Sequence, residues 1–226
     1  MIPISDEDVR RKKIFPLINL ALITINILVF FYEVSLPPAR LEAFVSAFGV
    51  VPFEIVTGRD IPPPAPGSVW LTLITAMFIH GGLLHIAGNM LYLWIFGDNV
   101  EDAMGHFRYL IFYLLCGIIA SLAQVLSDPI SRVPSIGASG AIAGVLGAYV
   151  VMFPRARIRT LLFIGPFFTL GRVPALLVIG LWAVIQLFAG IAALGVPTQQ
   201  TGGVAYFAHI GGFVAGVVLV WLFRRR

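Results

Sequence analysis

The chain alternates between long apolar blocks and short polar segments. Most of the blocks approach or exceed the ~20 consecutive apolar residues that an α-helix needs to cross a bilayer. Six blocks are predicted to span, at residues 14–34, 80–97, 107–126, 139–153, 173–195 and 204–222. The pattern therefore predicts an all-α membrane protein built as a bundle of six transmembrane helices.

The positions of lysine and arginine indicate how the six spans are oriented. Cytoplasmic segments are enriched in these residues, and six spans place both termini on one side. With the termini inside, twelve of the 15 Lys and Arg residues fall in inner segments. The three in outer segments are Arg40, Arg59 and Arg132. Residues 1–13 and the basic segment 223–226 are therefore predicted to be cytoplasmic tails that flank one domain, 14–222.

Two regions between the spans are unusual. A loop over residues 35–79 separates the first two spans, and loops of this length usually function or pack as small subdomains. Its segments Leu41–Val50 and Trp70–Ile79 are apolar enough to lie on or partly within the outer leaflet. The stretch Leu161–Leu170 contains a proline and is too short to span, so we place it at the cytoplasmic face.

Composition supports a membrane protein and argues against other classes. The chain is 59% hydrophobic and 12% charged, about half the charge of a typical soluble domain. The high pI of about 9.6 comes from basic residues dispersed in short loops, so it does not indicate a nucleic-acid partner. Cys116 is the single cysteine, which excludes an intrachain disulfide.

Four polar side chains lie near the starts of spans two, four and six. They are His85, Asn89, Ser139 and His209. These spans all run inward from the outer face, so the four residues share one depth in the outer half of the membrane. Polar groups inside a bilayer are costly, and each is a functional candidate by default.

Ser139 lies where span four begins. This span has about 15 residues, roughly 22 Å of helix against a hydrocarbon core of ~30 Å, so its N-terminus is submerged if its inner end reaches the cytoplasm. Free N–H groups at a helix N-terminus bind anions. A serine there can attack a carbonyl group and find one oxyanion donor in its own backbone. Taken alone, Ser139 is more simply explained as a small residue that permits helix contact.

The two histidine positions are also ambiguous when each is taken alone. Neutral His209 could accept a serine proton near pH 7, or act as a structural hydrogen-bonder or metal ligand. His85 and Asn89 share one helical face and could donate hydrogen bonds to an oxyanion, or form an interhelical polar clamp. His80 fits a loop anchor better than a catalytic group.

Small residues on two spans predict which helices pack closely. Gly140 and Gly144 form a stripe on span four, and Gly212 and Gly216 form another on span six. Such stripes let two backbones approach. Contact between them would bring Ser139 to His209.

Other intramembrane chemistries fit less well. A zinc protease needs the pattern H-E-x-x-H, but Ile86 follows His85. An aspartyl enzyme needs two facing carboxylates. The candidates, Asp98 and Asp128, flank spans on opposite sides of the membrane.

Three motifs together resemble a known family. H-G-G-L-L-H-I-A-G-N at 80–89, G-A-S-G at 137–140 and A-H-I-G-G-F-V-A-G at 208–216 are similar to the signature motifs of rhomboid proteases, in the same order and on the same spans. The resemblance extends from about residue 14 to 222.

The resemblance implies an intramembrane serine endopeptidase that cleaves transmembrane protein substrates. It implies a dyad of Ser139 and His209, an oxyanion site of His85, Asn89 and the Ser139 amide, and a structural role for Gly137. It implies no metal or other cofactor. It further implies an embedded first loop, a lateral substrate entry beside span five, and a site that faces the outer side of the cell membrane.

Two positions depart from the family pattern. Trp70-Leu71 stands where a Trp-Arg pair is often found, which leaves the anchoring of the first loop open. Ala143 stands where many members carry an aromatic residue that stacks on the histidine. Another side chain, such as Tyr206 or Phe207, would then have to orient His209.

Two other functions are weighed against proteolysis. A non-catalytic rhomboid-like protein that binds membrane clients would usually lack the serine or the histidine. A small transporter would show inverted repeats or broken helices in matching halves, and we find neither in the sequence.

Overall fold

The computed structural model describes residues 2–7, 14–164, 167–194 and 204–225. A helix lies within each of the six predicted segments or overlaps it. These helices are α1 (Leu17–Ser35), α5 (Leu83–Met104), α6 (His106–Ser127), α7 (Ser139–Met152), α8 (Ala175–Ala193) and α9 (Tyr206–Phe223). The long first loop folds into three short helices. They are α2 (Pro38–Phe48), α3 (Pro52–Thr57) and α4 (Thr72–Thr75), with 3₁₀ turns at Val69–Leu71 and Ala76–Phe78.

Length and composition identify the membrane-spanning helices. Among the described residues, four helices, α1, α6, α8 and α9, are long and apolar enough to cross a bilayer. The segment Val69–Phe78 and α5 together pass the same test but meet at 82°, which gives up to five candidate spans. Helix α7 has 14 residues and is shorter than a span. The chain is thus a predominantly helical, multi-pass membrane protein, and the six-span topology stays a prediction.

A three-stranded antiparallel sheet corrects the prediction of an all-α fold. Its strands are β1 (Ile2–Asp6), β2 (Arg157–Ile164) and β3 (Phe167–Pro174), in the order β1-β2-β3. Side chains along a strand alternate between its two faces, and Ile158 and Thr160 are accordingly fully buried. The apolar run after Thr160 hid this alternation in the sequence. Residues 161–164 and 167–170 of the stretch Leu161–Leu170 therefore lie in two paired antiparallel strands, and β1 lies within the predicted N-terminal tail.

Helix α5 differs from its predicted span in both bounds. It begins at Leu83 and continues to Met104, about two turns beyond the predicted end at residue 97. The polar last turns contact the start of α1. The Glu101 carboxylate accepts hydrogen bonds from the backbone N–H groups of Ile18, at 2.9 Å, and Asn19, at 2.7 Å. These are helix-terminal donors that lack intrahelical acceptors.

Helix α7 is the central helix of the bundle. Residues 140–149 are all buried, and α7 contacts α5, α6 and α9. Helix α8 is much less buried than α7. It packs mainly on α9, and between residues 180 and 189 it has no fully buried residue. The cavity described below is lined by residues of both helices and of α5 and α9.

Candidate active site

Ser139 and His209 lie in contact, although 70 residues separate them. Ser139 is the first residue of α7 and His209 lies in the first turn of α9. The Ser139 Oγ atom is 2.8 Å from His209 Nε2. This distance is within the hydrogen-bonding range that proton transfer from a hydroxyl to an imidazole requires. Both side chains are half-buried.

Glycines on α7 and α9 make this contact sterically feasible. A Cβ atom at Gly212 would lie 2.0 Å from the carbonyl oxygen of Gly140, and one at Gly216 would lie 2.0 Å from that of Gly144. Gly144 itself faces α6 as well, since its Cβ would lie 2.5 Å from the Cβ of Cys116. The two small-residue stripes therefore meet backbone to backbone. Gly140 directly follows Ser139, and Gly212 is three residues after His209.

The start of α9 is fixed by a side chain from α6. Gln124 Oε1 accepts hydrogen bonds from the backbone N–H groups of Phe207, at 3.2 Å, and Ala208, at 3.3 Å. These groups have no intrahelical acceptor because they lie in the first turn. Gln124 thus holds the turn that carries His209.

The segment before Ser139 is fixed by backbone hydrogen bonds to the long first loop. Val50 and Ser135 exchange two of them, at 3.0 and 2.8 Å, and Gly137 N–H donates to the carbonyl of Ala76 at 2.8 Å. No side chain is needed for these contacts. They anchor the first loop without the Trp-Arg pair, and Trp70 is itself 55% exposed.

His85 and Asn89 line the same cavity as Ser139 and His209, with a volume of about 690 Å³. The backbone N–H of Gly81 donates to His85 Nδ1 at 3.3 Å, so neutral His85 carries its hydrogen on Nε2. A Cβ atom at Gly137 would lie 2.8 Å from Cε1 and Nε2 of this ring. Gly137 also has φ +118°, which L side chains rarely adopt. Glycine is therefore required at this position by both sterics and conformation.

The Asn89 side chain is held by a chain of buried polar groups. Its Nδ2 atom is 2.9 Å from His80 Nε2. The backbone N–H of His80 in turn donates to the Glu33 carboxylate, at 3.2–3.3 Å. An amide NH₂ group has two hydrogens. One is directed at His80, which leaves the second for an acceptor in the cavity.

The sequence was compared with families and proteins already known. Residues 67–226, well over half of the chain, match the model of the Rhomboid domain. The chain belongs to the rhomboid family. The resemblance seen in the three motifs is thereby confirmed.

Several curated rhomboid proteins are similar to this chain. Rhomboid protease GluP of Bacillus subtilis is 32% identical over 202 residues, 89% of this chain and 34% of that protein. Rhomboid protein 1, mitochondrial, of Saccharomyces cerevisiae is 33% identical over 155 residues, 67% of this chain and 41% of that protein. Rhomboid-like protein 11, chloroplastic, of Arabidopsis thaliana is 32% identical over 159 residues, 69% of this chain and 53% of that protein. The matched regions thus cover about a third to a half of the length of these relatives.

Within this rhomboid domain, two contacts of the histidine were not expected from the sequence. Gln186 Oε1 is 2.7 Å from His209 Nδ1, so the partner of Nδ1 is Gln186 rather than Tyr206 or Phe207. The ring of Trp182 lies 5.7 Å from the His209 ring, centroid to centroid. Both come from α8. The available signal was a glutamine inside an apolar span, which is costly unless it has a partner.

Proposed function

We propose that this protein is a serine endopeptidase that hydrolyses peptide bonds in or near the transmembrane helices of membrane-protein substrates. The observation that carries the proposal is the 2.8 Å contact between Ser139 Oγ and His209 Nε2 at the N-terminus of a short, central helix. Membership of a family that includes proteins named as proteases supports it.

The chemistry follows from the geometry. Ser139 Oγ attacks the substrate carbonyl carbon while His209 Nε2 takes its proton. The carbonyl oxygen becomes an oxyanion, with the Ser139 backbone N–H, His85 Nε2–H and Asn89 Nδ2–H as donors. The C–N bond then breaks and His209 protonates the leaving amine. Water, deprotonated by His209, hydrolyses the acyl-enzyme and restores Ser139.

In this proposal His209 acts as the base without a carboxylate to orient it. Among the described residues that line the cavity there is no Asp or Glu. The constellation is therefore a Ser-His dyad rather than a Ser-His-Asp triad. Its substrate must also present an accessible carbonyl. Because an intact helix engages its carbonyls in i→i−4 hydrogen bonds, small or helix-breaking residues near the cut are the proposed preference.

The proposed orientation places the site on the outer side of the cell membrane. β1 pairs with β2, Ile14 N–H donates to Asp102 Oδ1 at 2.9 Å, and Arg225 N–H donates to the Ala103 carbonyl at 3.0 Å. These contacts bring β1, Ile14, the α5–α6 turn, β2 and Arg225 together at one end of the molecule. The Lys and Arg bias supports a cytoplasmic location for that end, and an even number of spans, such as the six proposed, is consistent with both termini lying there.

Fluorophosphonate labelling tests the proposed activity without a known substrate. The purified protein in detergent is expected to react at Ser139, whereas the Ser139→Ala variant does not. Cleavage of a single-span model substrate in liposomes is then measured in parallel. A folded protein that neither labels nor cleaves would instead fit the non-catalytic, client-binding class.

The oxyanion role of Asn89 gives a further prediction. Asn89→Ala is expected to lower kcat by up to roughly 10²-fold, with a smaller effect on KM, because its N–H is used only once negative charge develops. His85→Ala is expected to behave in the same way. Steady-state kinetics on the model substrate measure both effects.

A variant of His80 separates this role from a structural one. His80→Ala removes the same hydrogen bond to Asn89 but no proposed oxyanion donor. It is expected to lower the thermal midpoint and to affect kcat less than Asn89→Ala does. If Asn89→Ala has the same kcat as the wild type and loses only stability, His85 and Asn89 act as an interhelical polar clamp instead.

A further inference from the structure

Helix α8 contacts the imidazole of His209 on the side away from Ser139. Gln186 Oε1 lies 2.7 Å from Nδ1, and Nε2 faces Ser139 Oγ. We propose that Gln186 is a positioning residue that holds His209 in the tautomer with hydrogen on Nδ1. This inference rests on the proposed protease function, since it concerns the same base.

The chemistry of the amide selects one tautomer. A carbonyl oxygen can only accept a hydrogen bond, so the Gln186 contact requires hydrogen on Nδ1. The neutral ring then has its lone pair on Nε2, where it accepts the Ser139 hydroxyl proton. In the other tautomer Nε2 would carry the hydrogen and could not take that proton. An amide differs from the Asp of a triad because it orients the ring without adding a negative charge.

Trp182 completes the contact from the same helix. It precedes Gln186 by four residues, so the two side chains share one face of α8. Its ring lies 5.7 Å from the His209 ring at an interplanar angle of 42°, and 6.4 Å from the ring of Phe213. On α7, Ala143 is fully buried and supplies only a methyl group. The described contacts that set the plane of the base therefore come from α8.

The first test is a pair of substitutions of Gln186. Gln186→Leu keeps similar bulk and removes the acceptor, and is expected to lower kcat about 10- to 100-fold with little change in KM. Gln186→Glu restores an acceptor and recovers most of kcat. Its carboxylate also stabilises the imidazolium form, so the acidic limb of the kcat/KM profile moves to higher pH by about one unit.

The other groups around His209 do not obscure this pH readout. Among the described residues, the remaining titratable side chains that line the cavity are His85 and Tyr92 on α5, and both are unchanged in the two variants. Ser139 on α7 and Trp182 on α8 carry no charge near neutral pH. Ile185→Leu is the matched control, because Ile185 is the adjacent residue on α8 and is 53% exposed. It is expected to leave kcat and the pH profile unchanged.

A spectroscopic readout makes the inference independent of activity. ¹⁵N-histidine NMR of the full chain, with His209 assigned through His209→Ala, is expected to show hydrogen on Nδ1 in the wild type and a mixture of tautomers in Gln186→Leu. If Gln186→Leu does not fold, the role of Gln186 is tested by the acidic limb of Gln186→Glu and by the tautomer of His209 in the wild type.

The outcomes separate the two proposals. Hydrogen on Nε2 in the wild type, or an unchanged tautomer and kcat in Gln186→Leu, would overturn the role of Gln186, as would an unchanged acidic limb in Gln186→Glu. A wild-type protein that neither labels nor cleaves overturns the protease function, while the NMR result still reports on Gln186.

Discussion

Ser139→Ala and His209→Ala are each expected to reduce cleavage of a model transmembrane substrate to background, a loss of roughly 10⁴-fold or more. In the proposed mechanism the serine supplies the attacking oxygen and the histidine removes its proton across the 2.8 Å contact. Neither residue works without the other, so the double variant is expected to be no slower than either single variant. Initial rates in liposomes, measured with circular dichroism and thermal unfolding in detergent, provide the test.

A second serine serves as the control for this experiment. Ser46→Ala, on α2, changes the same functional group outside the cavity, and is expected to retain both cleavage and fluorophosphonate labelling. Substantial turnover by a folded Ser139→Ala or His209→Ala variant would contradict the dyad. Additive losses in the double variant would show that the two residues act in separate steps.

Gly212→Ala is expected to inactivate the protein although it changes no reacting group. The new Cβ atom would lie 2.0 Å from the Gly140 oxygen and 2.9 Å from the Gly140 carbonyl carbon. These are backbone atoms, so α7 and α9 must separate. Gly140 follows Ser139 directly, and a displacement of ~1 Å at a nucleophile can cost on the order of 10² in rate. Gly212→Val, and Gly144→Val through its contact with Gly212 and Cys116, are expected to lose more.

Stability has to be measured with activity in this series. Overpacking costs about 1–3 kcal/mol in addition to any loss of rate, so thermal midpoints are recorded for each variant. Gly180→Ala, on α8, is the control, because no atom lies within 4 Å of its added Cβ. The expected result is a folded Gly212→Ala protein whose Ser139 no longer reacts with a fluorophosphonate. Full activity of that protein would show that the glycine contact does not set the dyad distance.

The sequence predicts the helices and the grouping of the site because both depend on strong local signals. Long apolar blocks are costly anywhere except in a bilayer or core, so their positions are readily identified. The glycine stripes predict the α7–α9 contact because small residues have few other uses on apolar helices. The sheet is not predicted because its strands lack such a clear local signal. In β2 the alternating residues 157–160 run directly into the apolar residues 161–164, which have no period of two.

The contacts that depend on loop placement could not be predicted. The first loop is joined to the Ser139 segment by backbone groups of Val50, Ser135, Ala76 and Gly137, and backbone groups are identical in every sequence. Gln186 was visible as a polar residue in an apolar span. Its partner could not be predicted, because the rotation of α8 about its axis depends on tertiary packing, such as that of Trp182 against His209 and Phe213, and not on a repeat in the sequence.

The sparse burial of α8 has a thermodynamic consequence for the base. Displacement of this helix would break the contact between Gln186 and His209, so the proposed dyad would be inactive until α8 returns. Linkage makes the effect reciprocal: a ligand that fixes His209 must also restrain α8. A fluorophosphonate adduct on Ser139 is therefore expected to slow amide hydrogen exchange across residues 180–189 in wild type, and less in Gln186→Leu. The amide exchange rates of α8 would thus report whether His209 is held in contact with Gln186.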